Sequence, residues 1–274
     1  MAALARGLRQ PAHLWFAVVT DATLALFEGR FAEAERLMDE AAALGERAQR
    51  SDAVLSRRVQ LFTLGWQRGD LDGLESMLRQ SLADYPARPM FRCMLALLQA
   101  ELGDESSARR ELDALAADRF GALPLTNEWL FSMGFLAEAA ARLRHADAAA
   151  TIHELLLPHS ALNASTPDYI ATGSVARPLG VAAMAIGDCG LAAAHLEDAL
   201  EANARMGAVP WTARTQLDLA AALMERRTPG DLERARTLLE ACVPVLRGLG
   251  MRLCVERAES LEARVLRGRT TKPA

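Results

Sequence analysis

The sequence predicts an all-α fold: an α-solenoid of about six helical hairpins followed by a C-terminal capping helix. Three observations lead to this prediction: a pattern of side-chain sizes that recurs six times, glycines that separate apolar segments, and a composition rich in small residues. Of the 274 residues, 51% are hydrophobic but only 5% are aromatic, and alanine is abundant. Small side chains let two helices approach closely, so this composition favours helix-on-helix packing.

Each copy of the pattern starts at an anchor residue, usually glycine, and continues with small or apolar residues five, nine and twelve positions later. Successive anchors are 34 to 43 residues apart, and they are Gly29, Gly69, Gly103, Arg144, Gly187 and Gly230. The later positions share one face of a helix, because α-helical side chains repeat every three to four residues. An anchor glycine readily adopts the left-handed backbone that ends a helix. Acidic residues after the anchors are typical of helix N-caps, as in "RGDLDGLE", "LGDESSA", "IGDCGLA" and "PGDLERA".

The segments before the anchors are also apolar and helical in pattern, as in "FRCMLALLQAELG" and "WLFSMGFLAEAAARL". Each unit is therefore predicted to be a helix, a tight turn and a second helix, and stacked units of this kind form a solenoid. The alternative is an irregular all-α domain whose turns merely look alike.

The organisation of the chain follows from where the pattern starts and stops. Residues 1–10 are interpreted as the end of a truncated upstream repeat, because a turn at Gln10 and Pro11 precedes a new helix. Residues 11–250 form the repeat array. Residues 251–267, "MRLCVERAESLEARVLR", are amphipathic and charged, which predicts a capping helix, and residues 268–274 are predicted to be a disordered tail.

Composition and charge exclude several function classes. The net charge is −4, and an acidic chain is a poor partner for nucleic acid. The only lysine is Lys272, so the body of the chain has no lysine for a P-loop or a Schiff base. The four cysteines are scattered, which predicts buried thiols in a reducing cytoplasm. The apolar stretch 14–27 is too short to span a membrane, and a signal peptide there is the alternative.

The recurring residues resemble the tetratricopeptide repeat, whose usual period is about 34 residues. The similarity is carried by "EGRFAEAERLMDEAAALGERA", by "YPARPMFRCMLALLQAELGDESSARRELDALAADRFGALP", by "LLLPHSALN" and "GSVARPLG", and by "EANARMGAVPWTARTQLDLAAALMERRTPGDLERARTLLEAC". The chain is similar to the C-terminal sensor and scaffold region of bacterial AAA/STAND ATPases that are linked to LuxR-type DNA-binding domains or to adenylate/guanylate cyclase domains. This resemblance implies a scaffold that binds a protein or peptide, such as an upstream ATPase or cyclase domain. The chain has no G-x-x-x-x-G-K-[ST] loop, so no ATPase activity is implied.

The sequence contains no motif that indicates catalysis, a cofactor or a metal. None of the five histidines has a second histidine at His-x-x-x-His spacing, so no two-histidine metal site on one helix is expected. His153 occupies a position that other copies fill with Met or Leu, and it is interpreted as a packed core residue. No G-x-S-x-G elbow is present. The chain is therefore predicted not to be an enzyme, with an enzyme on a helical scaffold as the alternative.

The candidate binding residues follow from the tetratricopeptide arrangement, in which the first helix of each hairpin lines the concave surface. Arginines that face inward beside aromatic rings suit a carboxylate, a phosphate or an acidic peptide. Tyr169, in the polar segment 159–172, is expected to overhang the groove unless this segment is an ordinary surface connection. The expected binding residues are Trp129, Phe131, Glu138, Tyr169, Arg177, Trp211 and Arg214.

The sequence thus predicts a non-enzymatic interaction and sensor module. It is expected to bind a protein or peptide and to regulate a nucleotide-binding ATPase, a cyclase or a transcriptional regulator. The alternative is a small-molecule sensor that holds an anionic or sugar ligand in the concave groove. Segment 172–180, "TGSVARPLG", fits either an anion at a helix N-terminus or a helix start capped by Ser174.

Overall fold

The structure, a computed structural model, describes residues 10–166 and 168–270. Within that part of the chain there are thirteen α-helices and one two-stranded antiparallel sheet, which confirms the all-α prediction. Nearly all of the predicted upstream segment 1–10, and residues 271–274 of the predicted tail, lie outside the described residues. Each of the described helices is too short or too polar to serve as a membrane span.

The helices follow one another as α1 (Pro11–Glu28), α2 (Phe31–Arg47), α3 (Ala53–Arg68), α4 (Leu74–Asp84), α5 (Met90–Glu101), α6 (Glu105–Ala116), α7 (Trp129–Arg142), α8 (Ala146–Leu156), α9 (Ala176–Ala185), α10 (Cys189–Arg205), α11 (Val209–Arg226), α12 (Asp231–Gly248) and α13 (Arg252–Thr270). Strands β1 (Asn163–Thr166) and β2 (Ile170–Ser174) lie between α8 and α9. Helices α1 to α12 pair as six successive hairpins, and α13 follows as a single helix that continues three residues beyond its predicted end.

The turns inside the hairpins have part of the predicted chemistry. All six anchor residues have positive φ, from 51° at Arg144 to 88° at Gly230. Five of them follow the end of a helix, whereas Gly230 is the N-cap of α12, and the left-handed residue that ends α11 is Arg227. The carboxylate of Asp188 caps α10 by accepting the N–H of Leu191 over 2.9 Å. Asp104 caps α6 in the same way. The predicted acidic cap is therefore confirmed at these two turns. It is wrong for Asp70 and Asp231, because the N-caps of α4 and α12 are Gly73 and Gly230.

The later pattern positions carry the packing between helices. Side chains five, nine and twelve residues after the anchors are buried, with the exception of the half-buried His153. Two helices of one hairpin approach each other closely at Gly180 on α9. A Cβ atom built on Gly180 would lie 2.5 Å from Cγ of Leu196 and 3.1 Å from the carbonyl oxygen of Ala192, both on α10. The glycine therefore sets how closely α9 and α10 pack.

Replacing Gly180 by Ala is expected to lower the free energy of unfolding by about 1–2 kcal/mol. Overpacking costs about 1–3 kcal/mol, and the better helix propensity of Ala offsets about 0.5–1 kcal/mol of it. Urea denaturation measures the change. The matched control is Gly248→Ala, because a Cβ atom on Gly248 meets no heavy atom within 4 Å. An equal loss in both variants would contradict the packing argument.

The array closes on itself, because the first hairpins contact the last helices. Arg252, at the start of α13, donates to the carbonyl oxygen of Gly69 over 2.8 Å and contacts the carboxylate of Asp70 at 2.6 Å. Trp66 on α3 lies 6.0 Å from Trp211 on α11, measured between ring centroids. Buried apolar residues of α1 and α2 belong to the same cluster as those of α9 to α13. The open concave groove expected from the sequence is thus filled by side chains.

The two-stranded sheet was not expected from the sequence. Strands β1 and β2 pair antiparallel, with Thr166 opposite Ile170. The sheet is tied to the helices through the N–H of Ser174, which donates to the buried Asn203 side chain over 2.9 Å. Tyr169, just before β2, is only 4% exposed and does not overhang a groove. Strands of four and five residues are too short to stand out in a sequence dominated by helical periodicity.

Candidate ligand-binding site

Three charged residues meet at the centre of the fold, one from each of three consecutive hairpins. Arg177 on α9 contacts Glu138 on α7 and Asp218 on α11, with Nη2 2.5 Å from Glu138 Oε1 and 2.8 Å from Asp218 Oδ2. Arg177 is 3% exposed, Asp218 is 4% exposed and Glu138 is 7% exposed. Each residue lies on the first helix of its hairpin, which is why all three side chains face inward.

The electrostatics of this cluster keep all three groups charged. Burial by itself would raise the pKa of Glu138 and of Asp218, but Arg177 and the neighbouring arginines together outweigh it, and both pKa values lie below the ordinary range. Burial would likewise lower the pKa of Arg177, but the two carboxylates outweigh it and the pKa is raised. A carboxylate held ionised in this way is a poor proton donor at neutral pH.

Two further arginines extend the cluster. Arg257 on α13 donates from Nη1 to Asp218 Oδ1 over 2.6 Å. Arg142, the last residue of α7, lies 2.8 Å from the carboxylate of Glu101, whose side chain is 1% exposed. The indole N–H of Trp66 donates to the same Glu101 oxygen over 2.9 Å. These contacts join α3, α5, α7, α11 and α13 around one charged centre.

A cavity of about 200 Å³ opens beside this centre. Its polar lining consists of Glu138, Asp218, Arg142 and Arg257, and its apolar lining of Ala141, Val181 and Met184. Oε1 of Glu138 contacts Arg177 Nη2 but accepts no hydrogen bond of regular geometry from the described residues. Both guanidinium groups at the cavity are only partly buried, with side chains 36% exposed for Arg142 and 42% exposed for Arg257. The cavity therefore offers an acceptor and two donor forks to a small molecule.

Arg214 adds a positive charge that the described carboxylates leave unpaired. Its guanidinium lies 4.0 Å from the ring centroid of Trp66, a cation–π contact. It is 4% exposed, and its Nε has no hydrogen-bond partner within the described ranges. The cluster holds four arginines, counting Arg214, but only three carboxylates. This excess of positive charge favours an anionic group on a ligand.

The seven residues expected to bind a ligand divide into two groups. Phe131, Glu138, Arg177, Trp211 and Arg214 lie in or against the central cluster, and Arg177 stands 5.8 Å from the Trp211 ring centroid. Trp129 and Tyr169 lie apart from it: Trp129 packs edge-on against His159, and the hydroxyl of Tyr169 donates to Glu128 over 2.8 Å. All seven are buried, with exposures from 0% to 7%, so none lies on an open groove.

Sequence reasoning missed Asp218, Arg257, Arg142, Glu101 and Trp66. Asp218 could have been found, because an acid within "TQLDLAAALM" interrupts the buried face of an alanine-rich helix. Arg257 gave no such signal, since it lies on a helix interpreted as a solvated cap. A comparison with protein-family models finds no match, and a comparison with curated proteins finds none either.

Proposed function

We propose that the chain is a non-enzymatic, tetratricopeptide-like sensor module that binds a small polar effector in the central cavity. The observation that carries the proposal is the set of charges at this cavity: the Glu138 carboxylate faces the same space as the guanidinium groups of Arg142 and Arg257. Buried, partly satisfied charges are costly to retain, so an arrangement of this kind supports a ligand that completes it.

The chemistry of the lining defines the class of ligand. A guanidinium fork matches a carboxylate or phosphate group through two parallel hydrogen bonds. The Glu138 carboxylate, which lines the cavity, accepts a hydrogen bond from a hydroxyl or ammonium group of the ligand. A volume of about 200 Å³ suits a molecule of the size of an amino acid or a sugar acid. The effector is therefore a small anion or zwitterion that also carries a hydroxyl or ammonium group.

The positions of the two arginines suggest how binding would be passed on. Arg142 belongs to α7 in the middle of the array, whereas Arg257 belongs to the last helix, α13. A ligand held by both would tie α13 to the middle of the array. In this proposal the ligand-bound array is recognised by a cytoplasmic protein partner, which it regulates. The partner is a nucleotide-binding ATPase, a cyclase or a transcriptional regulator.

A thermal-shift screen with small hydroxy acids, amino acids and sugar phosphates tests the proposal, because a ligand that binds the native state raises the melting temperature. The variants Arg257→Ala and Arg142→Lys are expected to lower the affinity for the effector by about tenfold or more, since one charge-assisted hydrogen bond contributes about 1.5–3 kcal/mol. Lysine at 142 retains the charge beside Glu101 but removes the fork. Arg247→Ala is the control, because Arg247 pairs with Glu259 away from the cavity.

Two results would contradict this function. One is a screen in which none of these compound classes shifts the melting temperature. The other is an effector whose affinity is the same for Arg257→Ala, Arg142→Lys and the unmodified chain. The partner is tested separately by affinity purification of the effector-saturated chain, and recovery of the chain alone counts against a protein partner.

A further inference from the structure

Two histidines from different hairpins face each other away from the central cavity. His153 on α8 and His195 on α10 have their Nε2 atoms 3.1 Å apart, and their ring centroids are separated by 5.2 Å. His195 is 9% exposed and His153 is half-buried, so solvent reaches the pair from one side. Neither residue lines the cavity of the proposed sensor site.

We propose that His153 and His195 bind one transition-metal ion of the zinc class through their two Nε2 atoms, with water in the remaining coordination positions. Zinc–imidazole bonds are about 2.0–2.1 Å long, so an ion equidistant from nitrogens 3.1 Å apart subtends an angle of about 100°. That angle lies between the octahedral and tetrahedral values. The separation of the two nitrogens is therefore compatible with one ion bound by both.

The protonation chemistry of the pair is compatible with a metal. At a separation of 3.1 Å, one ring donates its Nε2–H to the lone pair of the other. If that proton sits on Nδ1 instead, both Nε2 lone pairs are available to a metal ion, with no change in net charge. Burial lowers the pKa of both imidazoles, and the proximity of His153 lowers that of His195 further, so both rings are neutral at physiological pH.

The surroundings of the pair favour a cation of a particular kind. Asp188 and Glu154 exert an attractive field at His153, and Asp198 does so at His195. Two imidazole ligands select Zn²⁺, Ni²⁺ or Cu²⁺ over Mg²⁺ and Ca²⁺, which prefer oxygen. No group of three or more protein ligands for a metal is found among the described residues, so water must complete the coordination. Spacing along one helix could not reveal this pair, because its members are 42 residues apart.

Isothermal titration of the full chain with ZnCl₂ tests the inference. The expected result is one Zn²⁺ per chain, with at least about tenfold weaker binding in His153→Gln and in His195→Gln. Glutamine retains a hydrogen-bonding side chain but is not a zinc ligand of comparable strength. His13→Gln is the matched control, because His13 is exposed on α1 and remote in sequence from the pair. Zn²⁺ is also expected to raise the melting temperature of the unmodified chain and of His13→Gln only.

Failure to bind Zn²⁺ would overturn the inference, and so would equal binding by all the variants. Circular dichroism checks that each variant retains its helices. If His195→Gln does not fold, His153→Gln decides the question, because His153 is the more exposed of the two residues. A negative result leaves the proposed effector site unaffected, since the two sites share no residue.

Discussion

Replacement of Arg177 by Met is expected to lower the free energy of unfolding by about 3–5 kcal/mol, which is the usual cost of removing one partner from a buried ion pair. Arg177 is the only cation in contact with Glu138 among the described residues, and it shares Asp218 with Arg257. Without it, the Glu138 carboxylate stays buried beside Asp218 with no countercharge in contact. Guanidinium chloride denaturation at pH 7 measures the loss.

Acid supplies an internal check on this explanation. In the native protein the pKa values of Glu138 and Asp218 are below the ordinary range, so their contribution to stability is present above about pH 4 and is lost as the pH falls through the lowered values. In Arg177→Met the same carboxyl groups, now buried without the guanidinium, take up protons more readily. The difference between the two proteins is therefore expected to shrink between pH 7 and pH 4.

The control for Arg177 is an arginine whose ion pair is solvated. Arg205 pairs with Glu201 within α10, and both side chains are more than 70% exposed. Arg205→Met is expected to change the free energy of unfolding by less than about 0.5 kcal/mol, because exposed pairs contribute little. A loss of similar size in the two variants would show that the buried cluster does not have the role assigned to it.

Replacement of Trp66 by Ala is expected to cost about 3–5 kcal/mol, the range for deleting a large buried aromatic side chain. Trp66 is 1% exposed, and its ring packs edge-on against Phe135 with centroids 5.7 Å apart. The same ring contacts Trp211 and Arg214 of α11, so its deletion leaves a hole where the first and last parts of the array meet. The hydrogen bond to Glu101 is lost as well.

Urea denaturation of Trp66→Ala and Trp66→Phe separates packing from hydrogen bonding. Phenylalanine fills most of the space but cannot donate to Glu101, so a smaller loss is expected for it. Leu125→Ala is the control, because Leu125 is 82% exposed, and its effect is expected to stay within about 0.5 kcal/mol. If Trp66→Ala were as mild as this control, the contact between the ends of the array would contribute nothing to stability.

The sequence predicted those features that depend on a short stretch of chain. Anchors such as Gly29 and Gly187 were found because a left-handed residue and a following apolar face are local patterns. The inward orientation of Glu138 and Arg177 was also predicted, since it follows from where each helix sits in its hairpin. The partners of these residues depend on the rotation between successive hairpins, which many small packing contacts determine together. Three features depend on that rotation: the closure of the array, the contact of Arg257 with Asp218, and the pairing of His153 with His195.

The hydrogen bond from Arg252 to the Gly69 carbonyl implies a different unfolding behaviour from that of a linear stack of repeats. In a linear stack of repeats, a terminal unit can fray without consequence for the opposite end, and stability is a sum of nearest-neighbour contributions. Here α13 packs on the turn of the second hairpin, so the two ends of the array are in direct contact. Truncation of the last helix is therefore expected to destabilise the first hairpins as well. Thermal unfolding is expected to be one cooperative transition of the whole array rather than a progressive loss of helices from its ends.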